Sequence, residues 1–106
     1  MQARKYNNAK VCLFGITFDS KKEAERYLEL KTLEKACIIE DLKLQVPFEL
    51  LEKQKGERGV KYIVDFTYTE KGQKVAEDVK GFKTKDYIIK RKLFKSKYKE
   101  YEFRET

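Results

Sequence analysis

Residues 60–81, VKYIVDFTYTEKGQKVAEDVKG, decide the fold of this chain. Apolar and polar positions alternate over residues 60–69 and again over residues 74–80, which predicts two strands. Between them lies a short polar turn that contains Gly72. The stretch is therefore predicted to be a β-hairpin, around which the rest of the chain is arranged.

Three charged side chains of this hairpin are candidates for a metal and phosphate site. The two-residue period of a strand places Asp78 and Lys80 on one face and Glu77 on the other, while Asp65 lies on the partner strand. Two carboxylates on neighbouring strands can hold Mg²⁺, and a nearby lysine can offset charge on a phosphate. An Asp–Lys ion pair on a solvated sheet face explains the same pattern, so both interpretations stay open.

Outward from the hairpin, turn and capping signals predict the other elements. They are a strand or hairpin over residues 11–18, a helix from the cap Ser20 to about Cys37, a strand over residues 43–51, a helix over residues 85–98 and a strand over residues 101–104. Pro47 places its strand at an edge or a bulge. Residues 1–10 form a loose basic arm in this interpretation. The whole is a single α/β domain with a mixed sheet, in the order (β)αβββαβ.

Glu23 has two explanations. It lies three residues after Ser20, which is the spacing of a capping box. It also projects between Tyr27 and Leu30 on the apolar side of the helix, where an acid is unexpected unless it has a partner. A capping role and a role in a site are both left open.

Composition limits the classes of chemistry. The chain has 106 residues, 25 basic and 18 acidic, for a net charge of +7, which favours an anionic partner such as nucleic acid or else simply aids solubility. It has no histidine, and its two cysteines lack metal-ligand spacing, so zinc sites and histidine-based triads are excluded. No membrane span or signal peptide is apparent, and we expect a cytoplasmic protein.

The motif D65–turn–D78-V79-K80, after a helix that carries Glu23, resembles the PD-(D/E)XK nuclease superfamily. The segments FDSKKEAERYLELKTLEKA, LQVPFEL, YIVDF and EDVKGFKTK resemble small phage-encoded endonuclease and resolvase-like members. The similarity extends from about Tyr6 to Arg104. It implies a restriction-endonuclease-like αβββαβ core, with a mixed central sheet flanked by two helices and an extra N-terminal strand or hairpin.

The resemblance also implies residue roles. Asp65 would be the metal-bridging carboxylate, Asp78 the second ligand and Lys80 the catalytic lysine. Glu23 would help to bind or position Mg²⁺ or Mn²⁺, and the Val79 carbonyl would complete the metal site.

The sequence departs from the superfamily pattern at one position, and it contains several further candidates for the site. Val64 stands where many members of the superfamily have a proline. Lys90 lies in a helical apolar arc, where a lysine either extends its charge to solvent or serves the site. Gln45, on the polar side of its strand, is a second accessory candidate. Candidates for phosphate contacts are Arg4, Lys5, Lys10, Lys83, Lys85, Arg91, Lys92 and Lys95, although any single one of them is more often ordinary surface.

The expected function is a Mg²⁺-dependent endonuclease that hydrolyses DNA phosphodiester bonds in a bacterial host cell, encoded by a phage. Analogy with small phage resolvases suggests branched or recombination-intermediate DNA. A homodimer that cuts both strands is a hypothesis, because so small a domain has little surface with which to hold a duplex. The alternatives are an inactive nuclease-fold DNA-binding or inhibitor protein of a phage, and a plain basic interaction module.

Overall fold

The computed structural model describes residues 9–106, which form an α/β fold. The helices and strands are β1 (Val11–Leu13), β2 (Ile16–Phe18), α1 (Lys21–Lys35), β3 (Glu40–Leu51), β4 (Val60–Glu70), β5 (Gln73–Asp78), α2 (Lys85–Lys97) and β6 (Tyr101–Glu105). This order confirms the predicted sequence of elements. Neither helix of the described residues is long and apolar enough to cross a membrane.

The main sheet is mixed, as predicted. Its strand order is β3-β4-β5-β6, with β3, β4 and β5 antiparallel and β5 and β6 parallel. A parallel neighbour needs a crossover connection, which α2 supplies. Pro47 lies in the edge strand β3, where proline is tolerated.

The first two strands form a separate hairpin. Strands β1 and β2 pair antiparallel, and the turn residues Phe14 and Gly15 have φ angles of 53° and 77°. The left-handed turn identifies this segment as a hairpin, one of the two alternatives that the sequence left open.

Two clusters of buried side chains lie against the sheet. We call them the α1 core, made of Phe18, Ala24, Tyr27, Leu30, Ile39, Phe66, Tyr68 and Val75, and the α2 core, made of Phe48, Leu50, Tyr62, Val64, Ala76, Tyr87 and Phe94. The adjacent residues Val75 and Ala76 of β5 belong to different cores. Because successive side chains of a strand point to opposite faces, the two helices flank the sheet at β5.

Some local predictions were wrong. Helix α1 ends at Lys35, because Cys37 takes a φ of 63° and Ile38 donates its N–H to the Leu33 carbonyl at 2.9 Å, which is a Schellman ending. Cys37 is therefore exposed outside the helix, and Leu28 is also exposed. On α2, Ile89 is exposed and its neighbour Ile88 packs against the α2 core.

The predicted single apolar faces of β3 and β4 are also wrong. Leu44 and Phe66 pair with each other and pack with the α1 core, whereas Val46 and Val64 pair and pack with the α2 core. Between these two pairs lies Gln45, whose φ of 51° is in the left-handed region. The strand pair thus changes the core it contacts at the level of Gln45, where the backbone departs from regular strand geometry.

We expect glycine to be better than alanine at position 45. Both replacements remove the glutamine side chain, but only alanine retains the steric cost of a left-handed φ, so Gln45→Gly should be about 1 kcal/mol more stable than Gln45→Ala. At Lys43, an exposed position of the same strand that does not have a positive φ, the order should reverse, because glycine weakens a strand. Urea unfolding of the four variants measures both differences. The same order at both positions would contradict a strained Gln45.

Candidate metal and phosphate site

A cleft of about 360 Å³ lies where the start of α1 meets the middle of β4 and the end of β5. Helix α1 and its cap contribute Asp19, Ser20 and Glu23, and β4 contributes Asp65. The connection from β5 to α2 contributes residues 79–82 and Thr84. Three separate parts of the chain therefore contribute polar side chains to one cleft.

Asp78 lies beneath this cleft and is fully buried. Its Oδ1 accepts a hydrogen bond from the Asp65 backbone N–H at 2.8 Å, and its Oδ2 accepts one from the Tyr62 hydroxyl. The Lys80 ammonium lies 3.7 Å from the same Oδ2. Burial and the adjacent Asp78 carboxylate raise the pKa of Tyr62, so its hydroxyl stays a donor. Asp78 thus links β4 to β5 at the point where their regular pairing ends.

Asp65 is the most perturbed acid of the cleft. Burial, and next the charge of Asp78, raise its pKa from 3.8 to about 7, although its Oδ2 accepts a hydrogen bond from the Val79 N–H at 2.9 Å. Its second oxygen, Oδ1, lies 3.4 Å from the Gln45 amide nitrogen. Burial and the neighbouring negative charge both disfavour the ionised carboxylate, and a bound cation would favour it.

Glu23 is buried at the start of α1, with 5% of its surface exposed. Its backbone N–H donates to the Ser20 hydroxyl at 3.1 Å, and its side chain accepts from the Asp19 N–H at 3.3 Å. Its other carboxylate oxygen accepts from the Gln45 amide at 3.1 Å. Burial raises the pKa of Glu23. The capping role and the place in the cleft are therefore compatible, because different atoms serve them.

The Gln45 amide group lies between two acids. Its Nε2 is 3.1 Å from a Glu23 oxygen and 3.4 Å from an Asp65 oxygen. A primary amide has two N–H donors and can serve two acceptors in this way. The partial positive charge of the amide thus occupies the space between the carboxylates. Since strained φ angles in folded proteins concentrate at functional sites, the left-handed backbone of Gln45 at this point favours a functional role.

Lys80 is held in place by contacts with groups other than the carboxylates. It lies two residues beyond the end of β5, where its backbone N–H donates to the Thr106 carbonyl at 3.1 Å. Its ammonium lies 4.6 Å from the centroid of the Tyr87 ring, a cation–π distance. The predicted proximity of Lys80 and Asp78 is confirmed, although the strand itself ends at Asp78.

Glu77, which directly precedes Asp78 in β5, belongs to a different hydrogen-bond network. It is fully buried and accepts hydrogen bonds from Arg26 at 2.6 and 3.1 Å, from the Tyr68 hydroxyl at 2.5 Å and from Thr106 at 3.1 Å. The two-residue period therefore separates the two acids correctly. Glu77 fixes α1 to the sheet, whereas Asp78 contacts Asp65 and Lys80 at the cleft.

The remaining basic candidates differ in the ion pairs that they form. Lys10 pairs with Asp19 at 3.0 Å, Lys83 and Arg91 pair with Glu105 at 3.1 and 2.8 Å, and Lys90 pairs with Asp86 at 3.5 Å. Lys85, Lys92 and Lys95 are exposed positions of α2. Arg4 and Lys5 lie outside the described residues. Lys83 and Lys85 are thus the basic side chains closest in sequence to the cleft residues Phe82 and Thr84.

Two tyrosines of the site, Tyr62 and Tyr87, were missed by sequence reasoning. Both occupy apolar positions of their elements and pack in the α2 core, so their spacing indicates only burial. Their hydroxyls reach Asp78 and Glu105, respectively. Only the three-dimensional arrangement brings them to these acids.

The donor set fits a hard divalent cation in part. Among residues 9–106, no group of three or more His, Cys, Asp and Glu side chains has the arrangement of a metal site. Glu23 and Asp65 nevertheless lie on either side of one amide group, and oxygen ligands suit Mg²⁺ and Mn²⁺. Val79 lines the same cleft. These residues suit a metal that keeps several of its waters.

We expect Asp65→Asn to change how stability depends on pH. Because the folded pKa of Asp65 lies above its ordinary value, folding takes up a proton, and stability is lost as pH rises from about 4 through about 7. The Asp65→Asn variant has no carboxyl group at this position and therefore lacks this loss of stability. In metal-free buffer its stability relative to wild type should increase by about 2 kcal/mol between pH 5 and pH 8.

Urea unfolding at several pH values measures this difference. Asp86→Asn is the matched control, because Asp86 is exposed on α2 and pairs with Lys90 of the same helix. Its stability difference from wild type should stay constant over the same range. Parallel curves for wild type and Asp65→Asn would contradict a raised pKa of Asp65.

Comparison with known proteins gives one match. Residues 3–105 match the model of a family described as a protein of unknown function, DUF1064. No curated protein and no solved structure matches the chain. Since the match covers nearly the whole sequence, the chain belongs to the DUF1064 family.

Proposed function

We propose that this chain is a metal-dependent endonuclease that hydrolyses DNA phosphodiester bonds at the cleft between α1, the middle of β4 and the end of β5. The observation that carries the proposal is the meeting of Glu23, Asp65, Asp78 and Lys80 from three separate elements. Chance pairing of surface charges does not explain it, because Glu23 and Asp78 are buried. Burying an acid costs free energy, so solubility alone does not explain acids at these positions.

The arrangement of elements supports a nuclease-like core. After the first hairpin, the order αβββαβ, with β6 parallel to β5, agrees with the core expected from the resemblance to PD-(D/E)XK nucleases. Asp65 lies in the middle of β4, Asp78 ends β5, Lys80 follows two residues later, and Glu23 lies on the first helix, in the chain order of that pattern. Fold alone does not establish activity, so the proposal depends on the cleft.

Glu23 and Asp65 would hold Mg²⁺ or Mn²⁺ in this proposal. The raised pKa values of both carboxyl groups support it, since a cation would favour their ionised forms. The Gln45 amide group would give up its place between them or turn its carbonyl oxygen inward. A bound metal of this kind supplies Lewis-acid polarisation of a phosphate oxygen and lowers the pKa of a bound water.

Asp78 would orient Asp65 in addition to helping to bind the cation. Both of its oxygens accept hydrogen bonds, from the Asp65 N–H and from the Tyr62 hydroxyl. Through the first of these it fixes the backbone that carries the Asp65 carboxylate. A carboxylate has about four acceptor positions, so Asp78 would retain acceptor capacity with which to help hold the cation.

Lys80 would provide the positive charge for the reacting phosphate. Its backbone contact with Thr106 and its position over the Tyr87 ring fix it near the acids. From there its ammonium can donate a hydrogen bond to a phosphate oxygen or to the attacking water. Fixed donors of this kind typically contribute about 10²- to 10³-fold to the rate.

DNA is the proposed partner on the basis of charge. The net charge of +7 attracts a polyanion, and exposed lysines are present just before α2 (Lys83) and on it (Lys85, Lys92 and Lys95). Because these contacts would be made to phosphates, they position DNA without selecting a base sequence. A homodimer that cuts both strands remains part of the proposal.

A non-catalytic DNA-binding or inhibitor protein is the second candidate. It is favoured by the lack, within residues 9–106, of a three-acid group arranged for a metal. The two hydrogen bonds of Asp78 also give that residue a structural role. Such a protein would bind DNA but would have no metal-dependent activity.

Cleavage of linear, nicked and four-way-junction DNA in Mg²⁺, Mn²⁺ or EDTA tests the proposal. Wild type should cut in Mg²⁺ or Mn²⁺ and not in EDTA. Asp78→Asn and Lys80→Gln should each lower the rate by about 10²-fold or more. Lys74→Gln is the matched control, since Lys74 also lies over a tyrosine ring, that of Tyr101, but outside the cleft. Its rate should equal that of wild type.

Two outcomes would contradict the endonuclease. One is DNA binding without metal-dependent cleavage of any of the three substrates, which would favour the second candidate. The other is cleavage that Asp78→Asn and Lys80→Gln leave unchanged, which would indicate a contaminating nuclease. Circular dichroism of each variant checks that the substitution leaves the fold intact.

A further inference from the structure

We propose that a DNA strand bound at the cleft continues across Gly81 into a neighbouring depression, where Lys21 and Lys22 contact its phosphates. This inference rests on the proposed function and names the path of the DNA beyond the reacting phosphate. The depression, which we call the lysine depression, has a volume of about 410 Å³. It adjoins the cleft, because Ser20, Val79 and Gly81 line both. A polymer held in the cleft can therefore extend into the lysine depression.

The charge of the lysine depression suits a polyanion. The charged side chains that line it are those of Lys21 and Lys22, and no carboxylate from the described residues does so. Both lysines are exposed, and neither forms an ion pair within residues 9–106. Asp19, the acid nearest to them in sequence on the N-terminal side, pairs with Lys10 at 3.0 Å. Two positive charges thus face this depression without a partner of opposite charge.

The stability of α1 does not explain these two lysines. Lys21 and Lys22 are the first two residues of the helix, directly after the cap Ser20. The amino end of a helix carries a partial positive charge, so cations there are unfavourable. Their exposure means that packing gives no compensating gain. A bound phosphate would offset the charges of both lysines and of the helix end together.

The backbone does not require glycine at position 81. Gly81 does not have a positive φ, in contrast to Gly15, Gly56 and Gly72. A Cβ added to Gly81 would meet no atom within 4 Å, so packing does not demand a glycine either. Glycine is also the residue that lets a ligand approach the backbone closely. At the boundary between the cleft and the lysine depression, Gly81 would leave the path of a strand free of a side chain.

DNA suits this path better than an acidic polypeptide does. The phosphates of a DNA strand repeat along its length, so a phosphate at the cleft has neighbours that can reach the two lysines. Through the proposed metal, the reacting phosphate would be attracted to Glu23 and Asp65. The carboxylates of a polypeptide would meet the same two acids without reacting there. Phosphate contacts of this kind fix the register of DNA without selecting a sequence.

Fluorescence anisotropy of a labelled DNA duplex in EDTA tests the inference without any cleavage. The double variant Lys21→Gln/Lys22→Gln should bind about tenfold more weakly or worse, because two phosphate contacts are lost. The slope of log affinity against log salt concentration should fall in magnitude by about 2. Both changes are measured against wild type over a series of salt concentrations.

Lys53→Gln/Lys55→Gln is the matched control. It removes the same charge from two exposed lysines between β3 and β4, which line neither the cleft nor the lysine depression. Its affinity and its salt slope should stay close to those of wild type. An equal loss of affinity in the two double variants would overturn the inference, because net charge alone would then explain binding.

Gly81→Val tests the path itself. A branched side chain at this position should weaken duplex binding about tenfold, because it obstructs the strand. Urea unfolding should show stability equal to or above that of wild type, since replacing glycine in an ordinary backbone conformation restricts the unfolded chain. Unchanged DNA affinity would overturn the inference. So would a loss of stability, which would mean that the protein itself needs the space beside Gly81.

Two further measurements identify the occupant and separate the inference from the proposed activity. Tighter binding of poly-glutamate than of DNA, or no binding of the duplex by wild type, would overturn the inference. DNA binding that depends on both lysines and on Gly81, without cleavage in Mg²⁺ or Mn²⁺, would support the inference and overturn the endonuclease. Metal-dependent cleavage that neither Gly81→Val nor Lys21→Gln/Lys22→Gln alters would support the endonuclease and overturn the inference.

Discussion

The buried carboxylate of Asp78 is the feature on which the rest of the cleft depends. By accepting the Asp65 N–H at 2.8 Å and the Tyr62 hydroxyl, it joins β4 to β5 where their ladder ends. The Val79 N–H then donates back to Asp65 at 2.9 Å. These contacts are reciprocal, so each acid is held by the backbone beside the other. Two negative charges are thereby brought together in a poorly solvated place, which is the origin of the raised pKa of Asp65.

Two further features connect this acid pair to the helices. Gln45 takes a left-handed φ at the point where β3 and β4 change cores, and its amide reaches both Glu23 and Asp65. Strain of this kind costs about 1–3 kcal/mol and persists only where the surroundings enforce it. Arg26, one turn after Glu23, is anchored to the buried Glu77 at 2.6 Å and so fixes the helix that delivers Glu23. The fold thus holds these acids close together at a cost in stability.

The sequence predicted the element order, the mixed sheet and the separation of Asp78 from Glu77, because strand alternation and capping signals are local. It did not predict that β3 and β4 change cores, since a glutamine in a strand carries no signal for a left-handed φ. Tyr62 and Tyr87 were missed because a tyrosine in an apolar pattern indicates packing, while its hydroxyl partner depends on tertiary structure. Lys80 was placed correctly beside Asp78, although backbone pairing with Thr106, and not the strand itself, holds it there.

Direct measurement of Mn²⁺ binding tests the central claim, that these acids are held together for a cation. Isothermal titration and the electron paramagnetic resonance of free Mn²⁺ should show binding to wild type near pH 8. Glu23→Gln should weaken it about tenfold or more, because one anionic oxygen ligand is lost. Glu25→Gln, an exposed position of the same helix, should leave it unchanged. Absence of Mn²⁺ binding to wild type, or equal binding by the Glu23→Gln variant, would contradict the account.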